Sequence, residues 1–376
     1  MTSYSPEDQA IRIICAKHFH QALWLPETAN HSKLKVTYST TTNFDNVSLP
    51  AILFIGPMFG TRWNALHFDK LARDCGVRVI CVDRPAFGGS TPVTIDIRMR
   101  VWLETVPALL QRLDVKHVAI VTHSAGAVYT LNTLLHHRSL LDPKAPYVAF
   151  LAPWVPTAHS AATLTTILAK LPTNLIDSFA GLNTFINSKI IPSASWSGGI
   201  VSSATALLSF PVSTDIPGAG TSTSTTPFEQ YGFDEGTAKL IKKLSSKYQF
   251  AEITTGVNEE VKLCLRKCDD ADWGEVADYS GCIRQIAMNE AALGSRAPNA
   301  AKVSVEAFFS GSDIMIAKGG QEYFEQCWQT DGVKGKVDFT TSTFPEANHD
   351  SLLIDQKKGA LKIVFERIVE LGKNRG

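Results

Sequence analysis

The residues of clearest chemical interest form the stretch Thr122-His123-Ser124-Ala125-Gly126, which joins an apolar strand pattern to a helical pattern. A serine at such a turn projects its hydroxyl above a sheet at the N-terminus of a helix, where it can act as a nucleophile. The N–H of Ala125 would then point at the oxyanion that develops during attack on a carbonyl. The crowded turn needs small residues, which Ala125 and Gly126 supply. The alternative interpretation of Ser124 is the N-cap of an ordinary helix.

This stretch resembles the nucleophile elbow of the α/β-hydrolase superfamily, whose motif is Gly-x-Ser-x-Gly. Thr122 takes the place of the first glycine, while Ser124 and Gly126 match the serine and the second glycine. The resemblance covers about 1–154 and 300–376. It implies an α/β-hydrolase fold, that is, a mostly parallel sheet flanked by helices with an inserted, mainly helical cap, and it implies that Ser124 is the nucleophile.

The same resemblance indicates a base and an orienting acid, because the family supplies Ser, Asp and His in that order at strand ends. Asp313 follows one predicted strand, and His349 lies in the loop after the next strand. We therefore predict a triad in which Ser124 attacks, His349 is the base and Asp313 orients the imidazole. Taken singly, Asp313 would be a turn or cap residue and His349 a loop histidine.

Two other carboxylates compete for the role of the acid. Asp350 adjoins His349, but adjacent side chains usually diverge. Asp83 opens a turn, residues 83–90, that matches another landmark of the superfamily, and we interpret it as a structural tie with Arg84 as a nearby candidate partner. The prediction therefore prefers Asp313.

The loop Gly56-Pro57-Met58-Phe59-Gly60 follows the first buried strand. The superfamily usually has His-Gly-x at this place, where one backbone N–H completes the oxyanion hole. Proline has no N–H, so the Met58 amide is the predicted donor beside Ala125, with Phe59 second. The alternative interpretation of the loop is a simple β-turn.

Alternating apolar runs and helical patterns predict the elements that position these residues. Such alternation is typical of a parallel sheet covered by helices on both faces. The predicted strands are 33–40, 51–55, 77–82, 117–121, 147–151, 303–309 and 337–341. The predicted helices are 6–25, 61–75, 95–113, 125–136, about 320–330 and about 356–372.

This alternation stops near Pro153 and resumes at Lys302. The pattern predicts a core domain of residues 1–154 and 301–376 and a helical cap or lid of residues 155–300. Apolar residues of the cap are either its own core or a wall for an apolar acyl chain. They are Leu164, Ile167, Leu168, Leu171, Leu175, Ile176, Phe179, Leu182, Phe185 and Ile186.

Composition excludes several classes of protein. The chain has 376 residues, with 36 Lys and Arg balanced by 36 Asp and Glu, which argues against a nucleic-acid binder. Seven scattered cysteines in mostly apolar surroundings indicate reduced thiols and a cytoplasmic location. We expect no secretory leader, membrane span, metal or cofactor. The oligomeric state does not follow from the sequence.

These observations together predict a serine hydrolase acting on an apolar acyl ester or thioester through an acyl-enzyme. The capped architecture resembles lipases, carboxylesterases, thioesterases and the thiohydrolases that release polyketide chains by hydrolysis or lactonisation. That last likeness implies an acyl chain on a carrier protein as one form of substrate. The alternatives are a carbon–carbon bond hydrolase on the same triad and a non-catalytic ligand-binding receptor of this fold. Epoxide hydrolases and haloalkane dehalogenases are disfavoured, because their elbow carries Asp in place of Ser124.

Overall fold

A computed structural model describes residues 4–162, 165–166, 169–170, 225–297 and 300–373. These residues form one sheet of eight strands, with helices packed around it. The strands are β1 (Gln21–Leu25), β2 (Leu34–Thr40), β3 (Ala51–Ile55), β4 (Arg78–Val82), β5 (Ala119–His123), β6 (Tyr147–Leu151), β7 (Ser304–Ser312) and β8 (Asp338–Asn348). The helices of the described residues are α1 (Pro6–Ile14), α2 (Asn64–Cys75), α3 (Arg98–Arg112), α4 (Gly126–His136), α5 (Thr157–Ser160), α6 (Pro227–Tyr231), α7 (Glu235–Ala251), α8 (Gly256–Leu265), α9 (Tyr279–Arg296), α10 (Ala317–Gln329), α11 (Ser351–Ile354) and α12 (Leu361–Lys373).

The strand order is β1-β2-β4-β3-β5-β6-β7-β8. β2 pairs antiparallel with β1 and β4, and every other pairing is parallel. The predicted mostly parallel α/β sheet is therefore confirmed. In a parallel sheet the carboxyl ends of the strands emerge at one edge, which is where ligand sites of open α/β sheets lie.

Apolar side chains cover both faces of this sheet. Along β3, Leu53 and Ile55 belong to one buried cluster, whereas Ile52 and Phe54 belong to another. Successive side chains of a strand point to opposite faces, so the two clusters lie on opposite sides of the sheet. The central strands are buried on both faces, which explains why they read as continuous apolar runs.

The predicted helix over residues 6–25 is wrong in its second half. Ser5 caps α1 by accepting a hydrogen bond from the Asp8 amide at 3.1 Å, but the helix ends at Ile14. Residues 21–25 form the edge strand β1, in which Trp24 is exposed between buried neighbours. Their period of two overlapped with helical spacing over too few residues to be separated in the sequence.

The last helix also starts later than predicted, at Leu361 rather than about 356, after the separate short helix α11. β7 and β8 run further than predicted, to Ser312 and Asn348. Each of these two strands therefore ends immediately before a candidate catalytic residue.

The described part of 155–300 contains α5 to α9 and one bridge between Ile253 and Gly88. α9 packs against α4 and α10. The apolar cap residues named above, from Leu164 to Ile186, lie outside the described residues. The division into core and cap stays a prediction. No helix of the described residues is long and apolar enough to cross a bilayer.

Candidate active site

Ser124 lies in the turn between β5 and α4 with a backbone φ of 52°. A positive φ is uncommon for a residue other than glycine, and such strain concentrates at functional sites. The turn is fixed on both sides: the Ser124 amide donates to the Leu151 carbonyl, and the Trp154 amide donates to the Ser124 carbonyl, each at 3.0 Å. The N-cap position of α4 is Ala125, and no side chain of the described residues caps the helix. The N-cap interpretation of Ser124 is therefore wrong.

Close packing under the turn explains the unusual Thr122. A Cβ added to Gly126 would lie 2.3 Å from the Ile55 carbonyl oxygen, 2.4 Å from Thr122 Oγ1 and 2.8 Å from the Gly56 carbonyl oxygen. The Thr122 hydroxyl donates a hydrogen bond to the Ile55 carbonyl at 3.0 Å. The glycine at position 126 thus leaves the space that the threonine side chain fills.

Asp313 and His349 meet at the ends of β7 and β8. The strand register pairs Ser312 with Asn348, so the residue after each strand comes next to the other. His349 Nδ1 lies 2.8 Å from Asp313 Oδ2. The other carboxylate oxygen of Asp313 accepts hydrogen bonds from the amides of Met315 at 2.8 Å and Ile316 at 2.9 Å.

The electrostatics of this pair favour an ionised aspartate beside a basic imidazole. Burial opposes the charge of Asp313, but the nearby His349, their hydrogen bond and the two backbone amides outweigh it and hold its pKa below the ordinary value. Burial likewise opposes the charge of His349, but the Asp313 carboxylate and the hydrogen bond to it raise the pKa of the imidazole above its ordinary value. Burial raises the pKa of Asp350 to about 6.

His123 connects the Ser124 turn to His349. Its Nε2 donates to the His349 carbonyl at 2.9 Å, and the two ring centroids are 4.9 Å apart. Burial lowers the pKa of His123 to about 3, so its ring is neutral and is not a base near neutral pH. Among the described hydrogen bonds none joins the Ser124 hydroxyl to the His349 ring. Such bonds are often long without substrate and tighten in the reacting complex.

The loop after β3 is a β-turn, in which the Gly60 amide donates to the Pro57 carbonyl at 2.7 Å. Met58 is the second residue of this turn, and its side chain is buried. In the described part of the chain, the amides of Met58 and Ala125 donate no hydrogen bond. The loop is therefore the β-turn of the alternative interpretation. Among the described residues this turn leaves the Met58 amide unpaired, and its role as an oxyanion donor stays a prediction.

A family model described as "Alpha/beta hydrolase family" matches residues 52–238 of the chain. The strand order, the strained serine turn and this match agree. The chain is a member of the α/β-hydrolase superfamily. The match includes β3, β4, β5 and β6 together with the elbow, whereas Asp313 and His349 lie beyond it.

Solved structures similar to this α/β hydrolase show the same fold at low identity. A carboxylesterase structure from Nitrososphaera gargenis has a TM-score of 0.51 at 11% identity, covering 94% of this chain and 100% of that one. An epoxide hydrolase from Vigna radiata has a TM-score of 0.53 at 16% identity, covering 96% and 99%. A bacterial membrane phospholipase A has a TM-score of 0.54 at 10% identity, covering 98% and 93%. No curated protein matches the sequence.

The Asp83 turn of this hydrolase is a structural tie, but its partner is Arg62. Asp83 accepts hydrogen bonds from the Thr37 hydroxyl at 2.6 Å and from the Arg62 amide and Nη1, both at 2.7 Å. The expectation that Arg84 pairs with Asp83 is wrong, because Arg84 pairs with Glu260 of α8.

Sequence reasoning also missed the contact between Arg84 and the loop after β3. The Arg84 guanidinium donates to the Gly56 carbonyl at 2.9 Å and to the Pro57 carbonyl. No signal in the sequence points to these contacts, since the turn that carries Arg84 and the loop belong to different βα units. No group of three or more potential ligands that could hold a metal ion occurs among the described residues.

Proposed function

We propose that this α/β hydrolase is a serine hydrolase that cleaves an ester or thioester of an apolar acyl group through an acyl-enzyme. The observation that carries the proposal is the 2.8 Å contact between Asp313 and His349, held beside the strained Ser124 turn. A helix-capping serine has no need of a histidine–aspartate pair at the ends of two distant strands. A serine nucleophile needs both.

The reaction has two halves. Ser124 Oγ attacks the acyl carbonyl carbon while His349 Nε2 takes its proton, which gives a tetrahedral oxyanion. The oxyanion accepts hydrogen bonds from the Met58 and Ala125 amides, each worth about 3 kcal/mol of barrier lowering. The intermediate collapses as His349 returns the proton to the departing alcohol or thiol. Water then attacks the acyl-enzyme, with His349 again as base, and releases the acid and Ser124.

The histidine changes charge during each half-reaction, and Asp313 supports the charged form. With Nδ1–H directed at Asp313, the imidazole is held in the tautomer whose Nε2 can accept the serine proton. The lowered pKa of Asp313 keeps the carboxylate ionised, so that it stabilises the imidazolium as it forms.

The apolar acyl specificity rests on the apolar composition of the predicted cap. Within this class, the resemblance to lipases, thioesterases and polyketide-releasing thiohydrolases supports a carrier-bound acyl thioester as one substrate, released by hydrolysis or lactonisation. A cytoplasmic location would place the enzyme with such a substrate. The choice of ester over thioester is decided by assay.

The test is fluorophosphonate labelling combined with a panel of p-nitrophenyl esters and acyl thioesters of graded chain length. Wild type should be labelled at Ser124, and Ser124→Ala should lose labelling and about 10⁴–10⁶ of kcat. Ser310→Ala is the matched control, since Ser310 is a buried serine of β7 outside the elbow and should remain labelled and active.

Three other outcomes of the labelling and turnover assays would contradict the proposal, each in a different way. Labelling that persists at another serine in Ser124→Ala would overturn the nucleophile assignment. Labelling of Ser124 without turnover of any ester or thioester would favour the carbon–carbon bond hydrolase. A folded wild-type protein that takes no label would favour the ligand-binding receptor.

A further inference from the structure

Arg84 is a completely buried cation in the turn after β4. Its Nε and Nη2 donate to the two carboxylate oxygens of Glu260, the latter at 2.7 Å. Its Nη1 donates to the Gly56 carbonyl at 2.9 Å, and Nη2 also donates to the Pro57 carbonyl. The guanidinium of Arg84 thus connects the carboxylate of Glu260 in α8 to the Gly56 and Pro57 carbonyls. These carbonyls belong to the loop of residues 56–60 after β3, which is the oxyanion loop of the proposed function.

The contact with the Pro57 carbonyl fixes the direction of the Met58 amide. The carbonyl of Pro57 and the N–H of Met58 belong to the same peptide group, which is planar. No peptide bond of the described residues is cis, so this N–H points away from its own carbonyl. Because Arg84 and the Gly60 amide both donate to the Pro57 oxygen, they orient the whole plane.

The same contact makes the Met58 amide a stronger donor. A hydrogen bond from a charged group is roughly twice as strong as a neutral one. Hydrogen bonds in a chain polarise one another, and the effect is larger in a low-dielectric interior. A guanidinium on the carbonyl side therefore increases the partial positive charge on the N–H side.

Arg84 keeps its charge in this buried place. Burial opposes the charge, but the Glu260 carboxylate outweighs it and holds the pKa of the guanidinium above its ordinary value. Glu260 is shared with a second buried arginine, Arg98, at 3.0 Å and accepts from the Tyr129 hydroxyl at 3.1 Å. Arg98 otherwise donates to the Pro85 carbonyl at 2.7 Å and to Tyr129 at 2.9 Å. It donates to neither carbonyl of the oxyanion loop.

We infer that Arg84 is a positioning residue for the oxyanion hole, fixing and polarising the peptide that presents the Met58 amide to the tetrahedral intermediate. The inference rests on the proposed function. It assigns to Arg84 an effect on the transition state that acts through the peptide plane between Pro57 and Met58 and needs no contact with the substrate.

Arg84 and Arg98, the two buried arginines that pair with Glu260, provide a matched pair for the test. Arg84→Lys and Arg98→Lys each keep a positive charge near Glu260, and each loses the planar, bidentate donor geometry of a guanidinium. Only Arg84→Lys also loses the contacts with the Gly56 and Pro57 carbonyls. The measurements are kcat and KM for the best ester of the panel, the inhibition constant of an alkyl boronic acid, and the melting temperature. A boronic acid forms a tetrahedral adduct with the nucleophilic serine and so reports on the oxyanion hole.

The expected result is a split between the two variants. Removing one oxyanion donor costs about 10²–10³ in kcat, so misplacing one in Arg84→Lys should cost about 10- to 100-fold. KM should stay within about twofold, and the boronic acid should bind weaker by a factor close to the loss of kcat. Arg98→Lys should keep kcat within about threefold of wild type. Its melting temperature should nevertheless fall by about as much as that of Arg84→Lys. Arg84→Gln, with one amide donor and no charge, is the second variant should Arg84→Lys fail to fold.

Two results would overturn the inference, and they differ from failure of the proposed function. Equal losses of kcat in the Arg84 and Arg98 variants would show that both act only through the fold. A change confined to KM, with unchanged boronic acid binding, would place Arg84 in ground-state binding. A wild-type protein without fluorophosphonate labelling at Ser124 would instead remove the serine hydrolase itself, and this inference with it.

Discussion

Replacing Asp313 by asparagine tests the orientation of His349, the proposed catalytic base, separately from the stability of the fold. In the native protein one carboxylate oxygen of Asp313 accepts hydrogen bonds from the amides of Met315 and Ile316. The other oxygen lies 2.8 Å from His349 Nδ1. An asparagine can place its carbonyl oxygen on the two amides, which leaves its NH₂ facing Nδ1. Nδ1 must then be an acceptor, so the proton of neutral His349 moves to Nε2, where it blocks removal of the Ser124 proton.

The size of the effect follows from this change of tautomer. The same substitution costs about 10⁴ in kcat in the serine-protease triad, which corresponds to about 5.5 kcal/mol at about 1.36 kcal/mol per factor of ten. We expect Asp313→Asn to lose several orders of magnitude in kcat with a small change in melting temperature, because both backbone amides keep an acceptor. The assay is steady-state hydrolysis of the best p-nitrophenyl ester together with thermal denaturation by circular dichroism.

Two other carboxylates supply the controls. Asp350→Asn should cost far less in kcat, since Asp350 does not face His349 Nδ1. Asp83→Asn should act on stability, because it removes the charge of one partner of a buried pair with Arg62. Near-normal turnover in Asp313→Asn, combined with lost turnover in a folded Asp83 or Asp350 variant, would refute the assignment of the acid.

Two further predictions concern the base and the elbow. Because the pKa of His349 is raised and the base must be neutral, kcat/KM should fall as the pH decreases through an apparent pKa above about 6.5. The charge of Asp350 contributes to that rise, so Asp350→Asn should lower the apparent pKa. The measurement is a pH–rate profile recorded between about pH 5 and pH 9. An unchanged or higher apparent pKa would contradict the assignment of His349 as the base. Gly126→Ala should lower the free energy of unfolding by about 1–3 kcal/mol or more in urea titrations, because its Cβ would meet the Ile55 carbonyl at 2.3 Å. Adding Thr122→Gly should restore little stability, since that backbone oxygen remains, and full recovery would show that the threonine side chain alone sets the limit.

The parallel strands could be predicted from the sequence because burial on both faces leaves continuous apolar runs bounded by turn residues. The run Ala51–Ile55 is such a case, and its predicted and observed bounds coincide. β1 could not be predicted, because it is a short edge strand in which an exposed Trp24 interrupts the apolar pattern. An edge strand is specified by its pairing with β2, which the local sequence does not contain.

The candidate site divides in the same way. Ser124, Asp313 and His349 could be proposed because each lies shortly after a strand that the sequence predicts, although β7 and β8 end later than predicted. Arg84 and Glu260 could not, since a pair 176 residues apart leaves no local pattern. Their meeting depends on how α8 packs on the turn after β4, which only the three-dimensional structure describes.

The contact between α8 and the turn after β4 limits how far the predicted cap can be treated as a removable module. Glu260 is the carboxylate that pairs with both Arg84 and Arg98 in the described part of the chain. A chimera that exchanged 155–300 for the insertion of another hydrolase would leave both guanidinium groups without this carboxylate unless the new segment supplied one. Removing one partner of a buried ion pair costs about 3–5 kcal/mol, against a total stability of about 5–15 kcal/mol for a typical domain. Exchange of residues 155–300 in laboratory evolution should therefore succeed only when the incoming segment carries a carboxylate at the place of Glu260.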